Sequence, residues 1–457
     1  MSLLLLDGTP PQTAIVTRAG LVRAGHKVLG DDTGIFHPLG LTFFWALYGW
    51  KYERQRILDH LAWLAPKGYD YLRILGEVDW TGRSIDPPVE AGNTTPAAWP
   101  DYRQILREFV DVAYDRYGLR SEITIVGGRQ FDKNTGARRF VPTDFARVVA
   151  EALVGAEHKV LHYEAANEWS RLDKVGLDDL VDMAHVIEGV TPNLVALSRP
   201  DDYGDMMAAT EVAGASAFTL HPRRSDHDHG WSHVRQGYDF KDFPRAVFNN
   251  EPEGPQSSVE EMSNPLQLAC CRLLGIVCGG AGYVLHVGQG VTGEADEGHG
   301  RPQEMWDVPN IDEIMRVVRA CDPLLPLGIE NWKCVNNGRS DHPLPLDGHT
   351  GFWEGTSGED ARAPAVNKNY AAISGTEFVV MLIGCKSVEA VGPVPAGTAI
   401  RPCHVEAFDP VTLAKVAEAD LAAGQSWTVP GRADTMAAAV VRGHYLGVQR
   451  RARDRYV

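Results

Sequence analysis

Between about residues 40 and 325, short apolar runs rich in β-branched and aromatic residues alternate with stretches of helical period. Eight of the runs predict strands: Leu41–Ala46, Tyr69–Leu75, Ile123–Gly127, Val160–Ala166, Asn193–Ser198, Ser216–His221, Arg245–Asn249 and Gly282–Val287. Helical segments lie between them. In Tyr52–Ala65, Ile57, Leu58, Leu61 and Leu64 share one face, and Gly68 suits the C-terminal cap. Thr143–Val154 is a second such segment, with Thr143 as its expected N-cap. Strand starts are 28, 54, 37, 33, 23, 29 and 37 residues apart, against roughly 31 per unit in an eightfold barrel of about 250 residues. The excess falls in Asp79–Tyr102, a Pro-, Gly- and Trp-bearing stretch that reads as a long loop. Repeated βα units of this size predict an α/β chain built on a (β/α)8 TIM barrel.

After Pro326 the pattern changes. Runs at Glu377–Gly384, Ile400–Phe408, Gln425–Val429 and Met436–Val441 are β-like, turn-separated and free of helices, which predicts an all-β sandwich. The first forty residues also read as β, with a hairpin around Asp31-Asp32-Thr33-Gly34. The expected organisation is an N-terminal β segment at 1–39 closing the barrel floor, a catalytic barrel at 40–326 and a sandwich at 327–457.

Composition narrows the function classes. The 457 residues are 44% hydrophobic and 23% charged, so the chain is globular rather than disordered or coiled-coil. A formal charge of -16 argues against a partner read through its phosphate backbone, so no nucleic acid is expected. The one basic cluster is the tail 449–455, read as a solvated terminus. Seven cysteines without a CxxC motif sit mostly in apolar runs, as in LACCRLLGIVC, and read as reduced core thiols. The start MSLLLLDGTPP is too short and uncharged for a signal peptide, and no segment is apolar enough for a membrane span. The expectation is a cytoplasmic protein, or one released by lysis or carried on a virion, without a membrane partner.

In a parallel barrel the reactive groups stand at the carboxyl ends of the strands. The fourth predicted strand ends HYEAANEWS, placing Asn167 and Glu168 at the rim, and the seventh ends VFNNEPEGP, placing Glu251 there. These strands face one another across a barrel mouth, so carboxylates 83 residues apart converge. Two converging carboxylates suit glycoside hydrolysis, in which one protonates the leaving oxygen and the other attacks or activates water. Glu253, two residues on, competes with Glu251. Glu251 is preferred because it closely follows the apolar run and precedes Pro252, which favours extended backbone at the residue before it.

The run Tyr163-Glu164-Ala165-Ala166-Asn167-Glu168-Trp169 resembles the E-x-x-N-E signature that ends strand four in clan A retaining glycoside hydrolases, the superfamily of cellulase-like and xylosidase-like barrels. The sequence departs from that pattern at Ala166, where an aromatic is frequent, at Trp169, where a proline is usual, and in strand eight, which lacks the frequent Trp. The resemblance implies Glu168 as acid/base, Glu251 as nucleophile, and Arg73 as the cation holding the nucleophile charged. Glu164 would be a buried structural partner.

Further candidates surround this pair. Asn167 would bond a sugar 2-hydroxyl, and His221, ending strand six, would contact Glu251 or a sugar hydroxyl. His286 in YVLHVGQG is a third polar candidate, and Trp169 and Trp231 offer flat faces to a sugar ring. Two competing motifs are weaker. His227, His229 and His233 crowd the loop 221–233, but strand one carries no HxH, so no metal is expected. Gly288-Gln289-Gly290-Val291-Thr292-Gly293 matches GxGxxG, yet an acidic, glycine-rich tract follows where a dinucleotide site needs a helix. The sequence thus reads as a retaining β-glycoside hydrolase acting on an oligo- or polysaccharide without a cofactor. A metal-dependent barrel hydrolase and a non-catalytic carbohydrate-binding protein are the alternatives.

Overall fold

The computed structural model describes residues 18–25, 27–77, 95–96, 98–128, 130–131, 136–167, 175–198, 214–221, 245–252, 254–256, 263–296, 298, 300–336, 346–347, 370–383, 394–430 and 438–446. Two compact units divide the chain. The first comprises Met1–His221, Pro244–Glu261 and Ala281–Ile311; the second comprises Pro222–Phe243, Met262–Gly280 and Asp312–Val457.

The first unit begins with a three-stranded antiparallel sheet, β1 (Arg23–Ala24), β2 (Leu29–Asp31) and β3 (Gly34–Phe36). Its β2–β3 hairpin turns where the Asp31 carboxylate accepts the Thr33 N–H at 2.8 Å and Gly34 takes φ 115. Arg120 ties this hairpin down, pairing with Asp31 at 2.8 Å while donating to the Gly20 carbonyl. Val22 and Leu29 then share one apolar cluster with Tyr71, Ala196, Ala217 and Phe248.

Eight parallel strands close the barrel: β4 (Leu39–Thr42), β5 (Tyr71–Leu75), β6 (Arg120–Val126), β7 (Val160–Ala166), β8 (Val195–Ser198), β9 (Ala217–Leu220), β10 (Ala246–Asn249) and β11 (Gly282–Leu285). Each pairs with the next in sequence, and β11 returns to β4 through Tyr283–Leu39 and Leu285–Leu41. Nearly every strand residue is buried. Strands covered on both faces read as continuous apolar runs, which is why the sequence pattern locates all eight. Glycine makes room where a ring must fit. A Cβ on Gly40 would lie 2.3 Å from the Tyr71 ring, and one on Gly282 would lie 2.5 Å from Phe248.

Among the described residues the α-helices are α1 (Ala46–Tyr52), α2 (Arg54–Leu64), α3 (Tyr102–Tyr117), α4 (Pro142–Ala152), α5 (Leu177–Glu188), α6 (Pro265–Val277), α7 (Gln289–Thr292) and α8 (Ile311–Ala320). In α3, Ile105, Leu106, Phe109, Val110 and Ala113 form the buried stripe, and Gly118 ends the helix at φ 70. Three sequence expectations need correction. The first strand stops at Thr42 rather than Ala46, because the run LTFFWALYGW is apolar on both sides of the border and carries no change of period to mark it. The helix expected over Tyr52–Ala65 forms as α2 but starts two residues later, at Arg54, because Glu53 (φ -130, ψ 40) separates it from α1, which ends at Tyr52. Thr143 is not the N-cap of α4; Pro142 takes the first helical position, where its missing N–H costs nothing, so Val141 is the cap.

The second unit holds α6, most of α8 and two antiparallel sheets. One sheet has the order β12 (Lys333–Asn336), β14 (Tyr370–Ser374), β15 (Glu377–Ile383), β20 (Ala438–Tyr445), β17 (Cys403–Phe408) and β18 (Lys415–Leu421). The other contains β13 (Leu346–Asp347), β16 (Val394–Ala399) and β19 (Ser426–Val429). Alternate residues Phe378, Val380 and Leu382 of β15 and Cys403, Val405 and Ala407 of β17 form one core with Leu346, Ala396 and Val429 of the smaller sheet. That shared core makes the pair a β-sandwich. The sequence pattern finds β15, β17, β19 and β20 but passes over β12, β13, β14, β16 and β18; of these, β18 carries the polar KVAEADL at a sheet edge and β16 contains Pro and Gly. Six cysteines, at 270, 271, 278, 321, 334 and 403, are buried; 270, 271 and 278 stand in the apolar run LACCRLLGIVC. Among the described residues no helix is long and apolar enough to cross a membrane.

Candidate active site

Polar side chains gather inside the barrel toward the carboxyl ends of its strands. Strand register brings them together: Thr42 pairs with Arg73, Arg73 with Glu122, Glu122 with His162, and Thr124 with Glu164. Arg73, Glu122, His162 and Glu164 are all fully buried. Buried charges persist only when paired and hydrogen-bonded, and here one guanidinium supplies most of the pairing.

Each nitrogen of Arg73 is used. Nε donates to Glu122 Oε1 at 3.1 Å, Nη1 donates to Glu251 Oε1 at 2.8 Å, and Nη2 donates to Glu164 Oε2 at 2.8 Å and to Asn167 Oδ1 at 2.9 Å. Arg73 thereby ties the end of β7, where Asn167 follows Ala166, to the end of β10, where Glu251 follows Asn250. His221 closes the group from the end of β9, with Nε2 3.1 Å from Glu164 Oε1 and Nδ1 3.6 Å from Glu251 Oε1. Glu164 also accepts the hydroxyls of Thr124 and Thr219.

This arrangement sets protonation states. Burial by itself would raise the Glu251 carboxyl, but the charges of His221 and Arg73 hold it well below the usual carboxylate range. Glu164 is likewise lowered, with burial overcome by Arg73 and by the hydrogen bond to His221. Burial opposes the charge on His221, yet Glu251 and Glu164 push it up to about 9. At neutral pH the cluster therefore presents two carboxylates, an imidazolium and a guanidinium. Glu251, 5% exposed, suits nucleophilic attack or stabilisation of positive charge, not proton donation.

His286, which follows β11 by one residue, is buried, with Nδ1 2.9 Å from Thr42 Oγ1, and its charge further lowers Glu251. Two glycines lock the loop after β10 against the loop after β11. A Cβ on Gly254 would meet the His286 carbonyl at 1.8 Å, and one on Gly288 would meet the Gln256 carbonyl at 1.7 Å. Gln256 itself takes φ 57. The GxGxxG string belongs to this packing: α7 occupies 289–292, Gly290 accepts the Phe44 N–H, and Gly293 lies against Trp45. Close backbone contact, rather than a phosphate, accounts for those glycines.

Of the residues singled out in the sequence, Arg73, Asn167, His221 and Glu251 meet in one cluster, and His286 lies beside it. Glu168, Trp169 and Trp231 lie outside the described residues, as do Glu253 and the histidines at 227, 229 and 233. Trp45 is fully buried, packed edge-on against Phe43 and His60, and serves the core. Among the described residues one group has metal-ligand atoms within 4.8 Å of one another: His404, Glu406 and Glu418, on the sandwich. There Lys415 already pairs with both glutamates, and His404 Nδ1 lies 2.8 Å from Asp420.

No protein-family model matches the sequence, and no curated protein matches it. Solved structures match it in fold. A glycoside hydrolase family 5 structure from Bacteroides vulgatus ATCC 8482 aligns with a TM-score of 0.64 at 11% identity, covering 94% of this chain and 94% of that one. A second glycoside hydrolase aligns with a TM-score of 0.59 at 11% identity, covering 94% and 98%. The chain shares the fold of solved glycoside hydrolases.

Within that fold, sequence reasoning missed Glu122, Thr124, Thr219, Asn250 and Thr42, the side chains that hold the cluster from below and beside. Their signal is a polar residue at an alternate position inside a buried strand, as Glu122 stands in RSEITIV. Attention to strand ends alone passes over it.

Proposed function

We propose that this protein is a retaining β-glycoside hydrolase acting on an oligo- or polysaccharide. The observation that carries this reading is the Glu251 carboxylate at the end of the seventh barrel strand, held ionised by Arg73 at 2.8 Å, with Asn167 of the fourth strand on the same guanidinium. The fold shared with glycoside hydrolases agrees with it.

In this mechanism a Glu251 oxygen attacks the anomeric carbon and the bond to the leaving oxygen breaks. Glu168 gives its proton to that oxygen. Glu168, now a carboxylate, removes a proton from water, the water oxygen bonds to the anomeric carbon, and the bond to Glu251 breaks. Two inversions return the original configuration. Arg73 and His221 keep Glu251 anionic before attack, and Asn167 faces the sugar 2-hydroxyl.

The deciding experiment screens aryl β-glycosides and a polysaccharide panel with the whole chain, using Glu251→Ala as control and following the anomeric proton of the first product by NMR. Hydrolysis with retained configuration, lost in Glu251→Ala, is expected. An inverted product rejects double displacement; full activity in Glu251→Ala rejects the nucleophile. Binding of sugar without turnover favours a carbohydrate-binding protein instead.

A further inference from the structure

Glu122 sits one layer below the cluster, on the third residue of a strand whose seven residues are all buried. Its Oε1 makes three contacts. Arg73 Nε donates to it at 3.1 Å, Asn250 Nδ2 donates to it, and His162 Nε2 lies 3.5 Å away. Two of these partners lead directly to Glu251. Arg73 binds the Glu251 carboxylate through Nη1, and Asn250 is the residue immediately before it, with its own N–H on the Leu220 carbonyl at 3.0 Å.

We propose that Glu122 is a positioning residue that fixes the Glu251 carboxylate from two sides, by orienting the guanidinium that binds it and by anchoring the side chain of the residue that precedes it. A guanidinium is a planar fork, so fixing Nε fixes where Nη1 and Nη2 point. Without an acceptor at Nε, the plane of Arg73 rotates toward Glu164 and Asn167, which share Nη2, and the bond to Glu251 is the one that lengthens. A carboxylate serves here better than a neutral acceptor because hydrogen bonds from Arg to an anion are shorter and stronger. The arrangement also explains why a third acidic side chain is buried beside Glu164 and Glu251. The role rests on the reading of Glu251 as the attacking group.

The test compares Glu122→Ala with Glu122→Gln. Both remove the charge, and Gln keeps an acceptor oxygen and the buried volume that Ala lacks. With a substrate from the panel, Glu122→Ala is expected to lose about 100-fold in kcat with KM within about threefold, the cost of a misplaced reacting group. Glu122→Gln should recover at least about tenfold of that loss. Placed on an Arg73→Lys background, which has no Nε to orient, Glu122→Ala should cost less than about threefold further. A readout independent of turnover is the His221 imidazole, which its carboxylate neighbours Glu251 and Glu164 push up to about 9. Followed by NMR, it should titrate at lower pH in Glu122→Ala than in Glu122→Gln, since only the former frees Glu251 to move. Equal kcat and equal His221 titration in the two variants overturn the proposal. If the wild type hydrolyses no glycoside while His221 still separates them, the positioning role stands and the glycosidase reading falls.

Discussion

His221→Gln tests whether the buried ion cluster is wired as described. An imidazole ordinarily titrates at 6.5, and the Glu251 and Glu164 carboxylates push this one up to about 9 despite full burial. A shift of that size corresponds to about 3 kcal/mol at about 1.4 kcal/mol per pH unit, a quantity belonging to the His221–Glu251–Glu164 set rather than to one residue. The native state holds the proton more tightly than the unfolded chain. The stabilisation is therefore complete below pH 6.5, where both states are protonated, declines as pH rises, and is gone above about 9. His221→Gln lacks this contribution at every pH. Urea unfolding followed by tryptophan fluorescence from pH 6 to 10 should show the two proteins furthest apart at pH 6 and converging by about 3 kcal/mol at pH 10. Because the chain has two compact units, the transition to read is the one the substitution displaces. A stability difference constant to within about 0.5 kcal/mol across the range refutes a charged His221.

Arg73→Met leaves Glu122, Glu164 and Glu251 facing one another and should cost about 3–5 kcal/mol at pH 7 in the same assay. That deficit should narrow on acidification to pH 5, because the unpaired carboxylates take up protons. The wild type runs the other way, losing stability as pH falls below 4.5, where the same carboxyls of the unfolded chain take up protons while the lowered Glu164 and Glu251 of the native state stay ionised. Glu168→Gln should lower kcat by about 10²–10⁴-fold on glycosides with poor leaving groups and much less on activated aryl glycosides, where protonation matters little. Gly288→Ala drives a Cβ to 1.7 Å from the Gln256 carbonyl and must part the two rim loops, so a loss of about 1–3 kcal/mol and of activity is expected in parallel melting and turnover assays. The six described thiols should stay unreactive toward a disulfide reagent until urea unfolds the chain, since all are buried.

The eight barrel strands are legible in the sequence because burial on both faces leaves continuous apolar runs bounded by turns. What the runs do not reveal is where an apolar helix takes over from an apolar strand. At Thr42 the ladder ends because the Phe43 N–H makes its last bond, to the Arg73 carbonyl on β5, and the Phe44 N–H then turns to the carbonyl of Gly290, which lies far away in sequence. The sandwich is harder for the opposite reason. Its edge strand β18 exposes most of its side chains, so alternation there has no buried half to mark it.

The site divides along the same physical line. Glu251, Asn167 and His221 stand where a strand gives way to a rim loop, and topology alone makes such positions candidates. Arg73 is different: it lies within a buried strand, and a charge there demands partners. Following that demand inward leads from Arg73 to Glu122 at 3.1 Å, then to Asn250, and back up to Glu251. No rim position announces this loop of contacts, because its members come from β5, β6 and the end of β10, and only barrel closure makes them neighbours. A charged residue in an otherwise apolar barrel strand is thus as strong a pointer to the chemistry as a carboxylate at a strand end. Its pairing requirement cannot be met within its own strand and must be met across the site.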